Sequence, residues 1–498
     1  MSTTIVMHPY LYPLLAALFC LLFWKNPRRQ FFISIIAALG TIYASFKLLT
    51  RVMDDPLMHQ MGGWPAPFGI VFVIDAFSAT LIFISSIVFF FTLLHAHCFL
   101  DEDRKSRLFY FLANVLFLGC VAAFSTSDIF NLFVSFELLL ISSFVLLTLG
   151  KGRSQIKSSL KYVTINIFSS ICFLCGIALI YSQTGALNMG HIAALYRESG
   201  YDLSFASQGA VVLFFIAFAI KTGLFPLFFW LPSAYPSTPS TISALFAGLL
   251  TKVGAYSLIR FFTLIFPLNE LPWLQKVFFT VALLSMLIGV FGALSQMTIR
   301  KILSIHIISQ IGYVILGLAI YTPLSIAAAI FYLVHNMLAK TNLFFCSGLV
   351  EAQLGTDDLK KHGGFFKKFP FFSFLFLVSA LALAGIPPLS GFFAKLLLAQ
   401  SFVASGNYIA LLFALGIGVL TLLSMLKIWN FTFLKKQDYD DSEMKPLQKK
   451  KTAYFIVCSM TVLICFMGLA SNFVFEWMQV CVEQMLNPDL YFKGLPKK

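Results

Sequence analysis

The sequence predicts an all-α, polytopic membrane protein with about fourteen transmembrane helices, two inverted five-helix repeats and broken helices 7 and 12. Three observations carry the class. Hydrophobic residues make up 59% of the 498-residue chain and charged residues 11%, with a mean hydropathy of +0.87; an ordinary soluble domain is roughly 25% charged. Apolar runs long enough to span a bilayer recur along the whole chain, since about 20 helical residues cross a hydrocarbon core of roughly 30 Å. Lysine and arginine gather in alternate connecting loops, which is a topology signal. A membrane barrel would show alternating strands of about ten residues, and none are seen. Because the +14 formal charge sits in short loops, it reports topology and points to no nucleic-acid partner.

Apolar windows place spans near 8–24, 31–49, 70–94, 108–124, 129–149, 159–182, 208–231, 241–265, 274–294, 301–320, 324–349, 371–403, 407–429 and 453–474. The twelfth is too long for one crossing and contains "GIPPLSG", so a break is expected there. One set of loops, including those of Arg104, Lys151, Arg300, Lys361 and Lys445, holds 21 basic residues; the opposite side holds six, namely Arg51, Arg197, Lys276, Lys493, Lys497 and Lys498. The first set is read as cytoplasmic, which leaves both termini outside. The first span itself is expected to direct insertion. Four segments follow: helices 1–3 (1–107), a first five-helix unit (108–265), a second, inverted unit (266–430), and a connector, helix 14 and outward tail (431–498). "PSAYPSTPS" (232–240) is uncharged and proline-rich, fit to cap a cavity. The nine cysteines are scattered; Cys172 and Cys175 have CxxC spacing but lie mid-helix in lipid, where cysteine packs as a small apolar residue. No metal site and no cofactor site is expected.

Removing loop residues leaves Glu137, Lys221, Lys252, His335, Lys340 and Lys395 within spans. Ionisable groups at that depth cost about 2.5–3.5 kcal/mol each on insertion scales and usually line a polar interior with a function. Other charges have simpler readings. Lys47, Arg260 and Lys427 lie near span ends and are expected to snorkel to the headgroups. Asp75 and Asp128 sit at helix starts, where an acid suits the dipole. His306 lies near an end. His335 reads equally as a hydrogen-bonded core histidine or as a proton carrier.

The chemistry fits proton handling. A lysine taken out of water holds its proton less tightly, and a nearby carboxylate restores the grip. One pKa unit is about 1.4 kcal/mol, and one charge crossing 100 mV is worth about 2.3 kcal/mol. A swing of one or two units is therefore comparable with the membrane driving force. Pro226, five residues after Lys221, removes a backbone donor and frees a carbonyl near residue 222. Pro387 and Pro388 interrupt span 12 ahead of Lys395. Broken helices are tolerated where they line a cavity, and interruptions in matching places of two halves point to a transporter's ion path. Spans 4–8 and 9–13 each carry the interruption in their fourth helix, and an odd number of spans per unit inverts the second.

Several stretches, "FNLFVSFELLLISSFVLL", "AIKTGLFPLFFWLPSAYPSTPSTISALFAGLLTKVGAYSLIRFFTLIF", "ISQIGYVILGL", "HNMLAKTNLFFCSGLVE" and "GIPPLSGFFAKLLL", resemble the antiporter-like proton-translocating subunits shared by respiratory complex I and Mrp-type cation/proton antiporters. The resemblance covers about residues 70–430. "ALNMGHIA", "LPSAYPSTPSTISALFAGLLTKVG" and the lysine at 395 are most similar to the Mrp-type multisubunit Na+/H+ antiporter branch. It implies Glu137 paired with Lys221, Lys252 as a central relay, His335 and Lys340 continuing the axis, and Lys395 gating an outlet. Two positions depart from the family pattern: Ser135 stands where tryptophan is frequent, and Asn336 where a second histidine is frequent, which weakens histidine-to-histidine transfer.

The expected function is proton translocation within a multisubunit cation (Na+)/H+ antiporter of the bacterial cytoplasmic membrane. The partners are the other membrane subunits of that complex, with H+ and Na+ or another monovalent cation as transported ions, and lipid. The alternative is a proton-pumping subunit of a redox-driven complex, such as complex I or a membrane-bound hydrogenase. A stand-alone solute or lipid transporter fits fourteen spans but not the buried lysine series.

Overall fold

The computed structural model describes residues 3–64, 69–150, 152–436 and 449–492. Lys151, Lys445, Lys493, Lys497 and Lys498, and most of the 430–452 connector, lie outside them. The described chain is helical apart from one small antiparallel hairpin, Leu57–Gln60 against Val71–Ile74. That hairpin takes the first residues expected in the third span, so the third helix runs Ala76–Phe99. Asp75 caps it, accepting from the Ser78 amide at 2.8 Å; Asp128 caps Ile129–Thr148 in the same way through the Asn131 amide. Both acids thus occupy the helix starts expected of them.

Twelve helices among the described residues are long and apolar enough to cross a membrane. Three shorter apolar helices, Phe109–Ser125, Pro370–Ala384 and Ser390–Ala404, fall where the fourth and twelfth spans are expected. After Lys450–Leu469 comes a second helix, Ser471–Met485, which the hydropathy pattern does not separate from the last span. Burial is uneven. Every residue of Ser240–Ile265 is buried, as are nearly all of the most apolar stretches of Ile299–Ile320 and Pro323–Leu354, whereas Pro272–Leu294 is largely on the outside. Pro323–Leu354 is the hub, packing on Ser240–Gly248, Ile299–Ile320, Ser390–Ala404 and Ser471–Met485. Polar residues are tolerated in these central helices because protein, not lipid, surrounds them.

The two five-helix segments repeat one set of contacts 170 positions apart. Asp128 bridges Asn188, and Thr298 bridges Asp358. The Ile129 amide donates to Leu187 O and the Met189 amide to Ser127 O; the Ile299 amide donates to Asp357 O and the Leu359 amide to Met297 O. The third helix of each segment, Arg153–Thr184 and Pro323–Leu354, has 32 residues and ends on a left-handed glycine, Gly185 or Gly355. Asn166 donates to Tyr162 O at 2.8 Å, and Asn336 donates to Tyr332 O at 2.8 Å. At this spacing Ser170 stands where the second segment has Lys340.

The fourth helix of each segment stops in one manner. Phe205–Thr222 ends at Gly223 (φ 81°) and Pro370–Ala384 at Gly385 (φ 91°). The Leu224 amide reaches back to Ala219 O and the Ile386 amide to Leu381 O, with Gly223 bonding Ile220 O and Gly385 bonding Ala382 O. This is the closure that a positive-φ glycine permits. Glycine therefore ends the seventh helix, not Pro226, which lies beyond the end; Phe225–Pro226 and Pro387–Pro388 are cis peptides. A third break, not expected, falls at Leu249 between Ser240–Gly248 and Leu250–Arg260.

Arg260 does not snorkel. It is 4% exposed and makes a two-pronged ion pair with fully buried Asp75, at 2.7 and 2.9 Å. Ser78 and Tyr256 accept further guanidinium bonds, and the Tyr491 hydroxyl accepts one at 2.6 Å while donating to Asp75. Each member is satisfied because the third helix, the eighth helix and the C-terminal segment converge there. Lys427 is also held, donating to Leu294 O and Gln296 O at 2.8 and 2.7 Å just past the ninth helix, whereas Lys47 lies exposed over Tyr43 as expected. Leaving one partner of a buried pair alone costs about 3–5 kcal/mol. Asp75→Leu and Arg260→Met should each lower the melting temperature of the detergent-purified protein sharply. The double variant should lose clearly less than the two single losses added together.

Candidate functional site

Lys221 is the penultimate residue of Phe205–Thr222, so its ammonium sits beside the negative end of a helix dipole. It is 7% exposed. Its Nζ donates to Ser170 Oγ at 3.3 Å, and Ser170 donates in turn to Glu137 Oε1. Among the described residues no ion pair joins Glu137 to Lys221; the expected pairing is made through the serine. The ring of Phe136 lies 5.2 Å from the ammonium, within cation–π range. Glu137 itself is half-buried.

A small cavity of about 20 Å³ adjoins Lys221, walled by Phe136, Tyr162, Asn166, Trp230 and Leu250. A void of roughly 10–15 Å³ holds one water. On its far side the eighth helix begins. Gly254 packs so closely on the seventh helix that a Cβ there would meet Thr222 Oγ1 at 2.6 Å. Glycine at 254 thus lets the two lysine-bearing helices touch.

Lys252, 1% exposed, donates to Ala247 O at 2.5 Å and Thr251 Oγ1 at 3.3 Å. Ala247 belongs to the final turn before the Leu249 break, so the break supplies a carbonyl to the ammonium. Lys395 does the same at the twelfth helix, bonding Ala384 O at 2.7 Å and Leu383 O at 3.3 Å across the Gly385 break. The Tyr313 ring lies 5.2 Å from it. Lys340, fully buried, bonds Leu303 O at 3.1 Å. His335 Nδ1 meets Ser390 Oγ at 2.8 Å, the first residue after the same break.

These groups form one row. Lys395 lies over the Tyr313 ring, Tyr313 packs on Tyr332 at 5.1 Å and Tyr332 on His335 at 5.8 Å, while Gly248 beside the Leu249 break packs on Thr341, next to Lys340. His306 bonds Ser424, and Tyr332 bonds Gln310. His306 Nδ1, Ser309 Oγ, Gln310 Nε2, His335 Nε2, Asn336 Oδ1 and Asn342 Oδ1 are buried without a hydrogen-bond partner among the described residues, a concentration of unmet polarity that suits a hydrated path. The row ends at half-buried Lys395, beside a cavity of about 260 Å³ bordered by exposed Leu415 and Val419. Its middle is sealed and its two ends reach the periphery.

The structure joins Glu137 to Lys221 through Ser170 and gives buried oxygen partners to Lys252, Lys340, His335 and Lys395, each by its own contacts. Sequence reading missed Ser170 and gave His306 no place. Ser170 carries no local signal. The eleven residues "ILSIHIISQIG" do: Ser304, His306, Ser309 and Gln310 recur at helical spacing within an apolar span.

The chain matches the family described as NADH:quinone oxidoreductase/Mrp antiporter, transmembrane, over residues 126–421. It is 40% identical to a Na+/H+ antiporter subunit of Alkalihalophilus pseudofirmus over 99% of both chains. Its fold superposes on a chain of the Mrp complex from Dietzia sp. DQ12-45-1b with a TM-score of 0.92, at 28% identity and 99% coverage of both. A chain of an archaeal membrane-bound sulfane sulfur reductase shares the fold, with a TM-score of 0.91 at 24% identity, over 99% of this chain and all of that one.

The serine bridge has a measurable energetic consequence. A hydrogen bond to a charged group contributes about 1.5–3 kcal/mol. A double-mutant cycle of Glu137→Gln and Lys221→Met on thermal stability should show coupling near that size. In a Ser170→Ala background the coupling should fall to a few tenths of a kcal/mol.

Proposed function

Because this chain belongs to the NADH:quinone oxidoreductase/Mrp antiporter transmembrane family, we propose that it is the proton-conducting membrane subunit of a multisubunit Na+/H+ antiporter. The observation that carries this is the row itself: four lysines at helix breaks or buried carbonyls, a serine-bridged glutamate, and two histidines, all inside a helical membrane fold. The proton passes along Glu137–Ser170–Lys221, through Lys252 to Lys340, and by His306 and His335 to Lys395. Segments 108–265 and 266–430 each supply half of the path. The charged loops face the cytoplasm, both termini face outward, and the membrane is the bacterial cytoplasmic one.

Each transfer needs a lysine that can be neutral or charged at small cost. Helix-end carbonyls hold the ammonium form, while burial favours the neutral amine. A shift of a few tenths of an ångström between Nζ and its carbonyl changes that balance. Glu137 adds a negative charge whose influence depends on the Ser170 hydroxyl between it and Lys221. Sodium fits the row poorly, because hard cations want several oxygen ligands, chiefly carboxylates and carbonyls, and Glu137 is the one acid in it. The sodium route is therefore placed wholly or partly in the other membrane subunits.

The shared fold with a respiratory reductase chain supports a second reading, in which electron transfer in other subunits drives the same row. Adjacent genes separate the two: short membrane subunits for the antiporter, cluster-binding proteins for the redox complex. In everted vesicles containing the assembled complex, Lys221→Ala and Glu137→Gln should each reduce the Na+-dependent pH change at least tenfold. An undiminished change in assembled complexes overturns the assignment.

A further inference from the structure

A second polar cavity lies apart from the lysine row. It has a volume of about 410 Å³ and is lined by Ser237, Thr238, Pro239 and Ser240 of the proline-rich stretch, with Arg300 and Glu351 opposite. Exposed Asp101 and Gly152 stand at its rim, so it opens on the surface. Arg300 ties its wall, donating to Thr238 O at 2.6 Å, Glu351 at 3.0 Å and Asp357 at 3.2 Å.

His95 lies behind its floor. Three lining residues meet there. The Phe99 ring lies tilted against the imidazole, with centroids 4.4 Å apart. Gly348 leaves the ring room, since a Cβ there would meet His95 Cε1 at 3.0 Å and collide with Ser240 Oγ. Ser240 directly precedes Thr241, whose hydroxyl is 2.7 Å from His95 Nδ1. The ring is 1% exposed, the Phe345 ring stacks on it at 4.6 Å, and its Nε2 has no hydrogen-bond partner among the described residues. Two aromatic faces stabilise an imidazolium by cation–π attraction. Thr241 is the second residue of the short helix Ser240–Gly248, and Ala247 near its other end holds Lys252. At 1.5 Å per residue the two points are about 9 Å apart. Gly248 packs on Thr341, next to Lys340.

We propose that this cavity is the cytoplasmic mouth of the proton path and that His95 is the carrier between it and the Lys252–Lys340 pair. The inference rests on the proton-conducting reading and on the loop orientation given above. A proton leaving the Lys252 ammonium travels toward Thr241, whose hydroxyl hydrogen passes to His95 Nδ1. The imidazolium formed gives its Nε2 proton to the cavity. The ring is left as the Nδ1–H tautomer; a half-turn about Cβ–Cγ lifts that N–H away from Thr241, and the ring is reset when Nε2 takes up a proton from the cavity as Nδ1 releases one to it, with no net transfer. Lys252 ends as the neutral amine, ready to take the next proton from the row.

The test uses the assembled complex in everted vesicles, where the cytoplasmic face meets the medium. His95→Ala and His95→Gln should each slow Na+-driven pH change at least tenfold with the complex still intact on purification. Imidazole in the medium should restore a substantial part of the His95→Ala rate. Thiazole, a ring of similar size that takes up no proton near neutral pH, should not. Equal rescue by both rings, or variants at full rate, overturns the carrier role. Lys252→Ala is measured in parallel: if it abolishes transport while His95→Gln does not, the mouth is elsewhere and the lysine row stands; if neither affects transport, the row itself falls. Should His95→Ala fail to assemble, Thr241→Val replaces it, with a tenfold slowing expected and an unchanged rate counting against the relay.

Discussion

An ammonium group inside a bilayer must find oxygen, and this fold supplies it by ending helices where they would otherwise continue. A helix terminus leaves its last carbonyls without backbone partners. Near Leu249 and at Gly385 those carbonyls face Lys252 and Lys395, while Lys221 rides on a terminus of its own at Thr222. The breaks and the lysines are thus one device seen from two sides. An unbroken helix would leave the lysine without a ligand, and a break without a lysine would leave carbonyls unpaired in a region with little water. At the seventh helix the Trp230 indole adds a second bond, at 2.9 Å, to Ile220 O, which also accepts from the Gly223 amide.

The repeated framework sharpens what differs between the halves. The bridges, the 32-residue third helices, the Tyr–Asn back-bonds and the glycine closures recur, but Ser170 occupies the place of Lys340. A hydroxyl at that place suits the first half, where Glu137 brings a negative charge and Lys221 a positive one. In the second half an ammonium at that place bonds Leu303 O, among histidines and no acid. One scaffold therefore holds a serine-bridged acid–lysine pair at one end and lysines and histidines without a neighbouring acid among the described residues at the other.

Much of this was legible in the sequence because membrane constraints are severe. The class, most span positions and the six titratable groups follow from apolar length and from the cost of stranded charge. Local punctuation was less readable. Proline drew attention to the seventh break, yet Gly223 makes the closure, because a positive φ is not visible in composition. The Leu249 break has neither proline nor glycine at its centre. Arg260 and Asp75 looked like end-of-span residues, since nothing along either helix shows that they meet across 185 positions. Ser170 was unreadable for the same reason: a serine in a membrane helix is common, and only three-dimensional proximity to Glu137 and Lys221 gives it a task. The capping role suggested for "PSAYPSTPS" agrees with the cavity that stretch lines.

The Asp75–Arg260–Tyr491 cluster also bears on how the molecule is made. The carboxyl leaves the ribosome 185 residues before its guanidinium and 416 before the tyrosine that closes the network. At roughly 5–20 residues per second, the acid waits on the order of ten seconds or more for its counter-ion, and longer for its last hydrogen bond. During that interval the nascent third helix carries an acid with no counter-charge, and its final seat is set only when the eighth helix arrives. Biogenesis of this chain is thereby ordered by charge: the earliest membrane segments stay provisional until some of the latest have been translated.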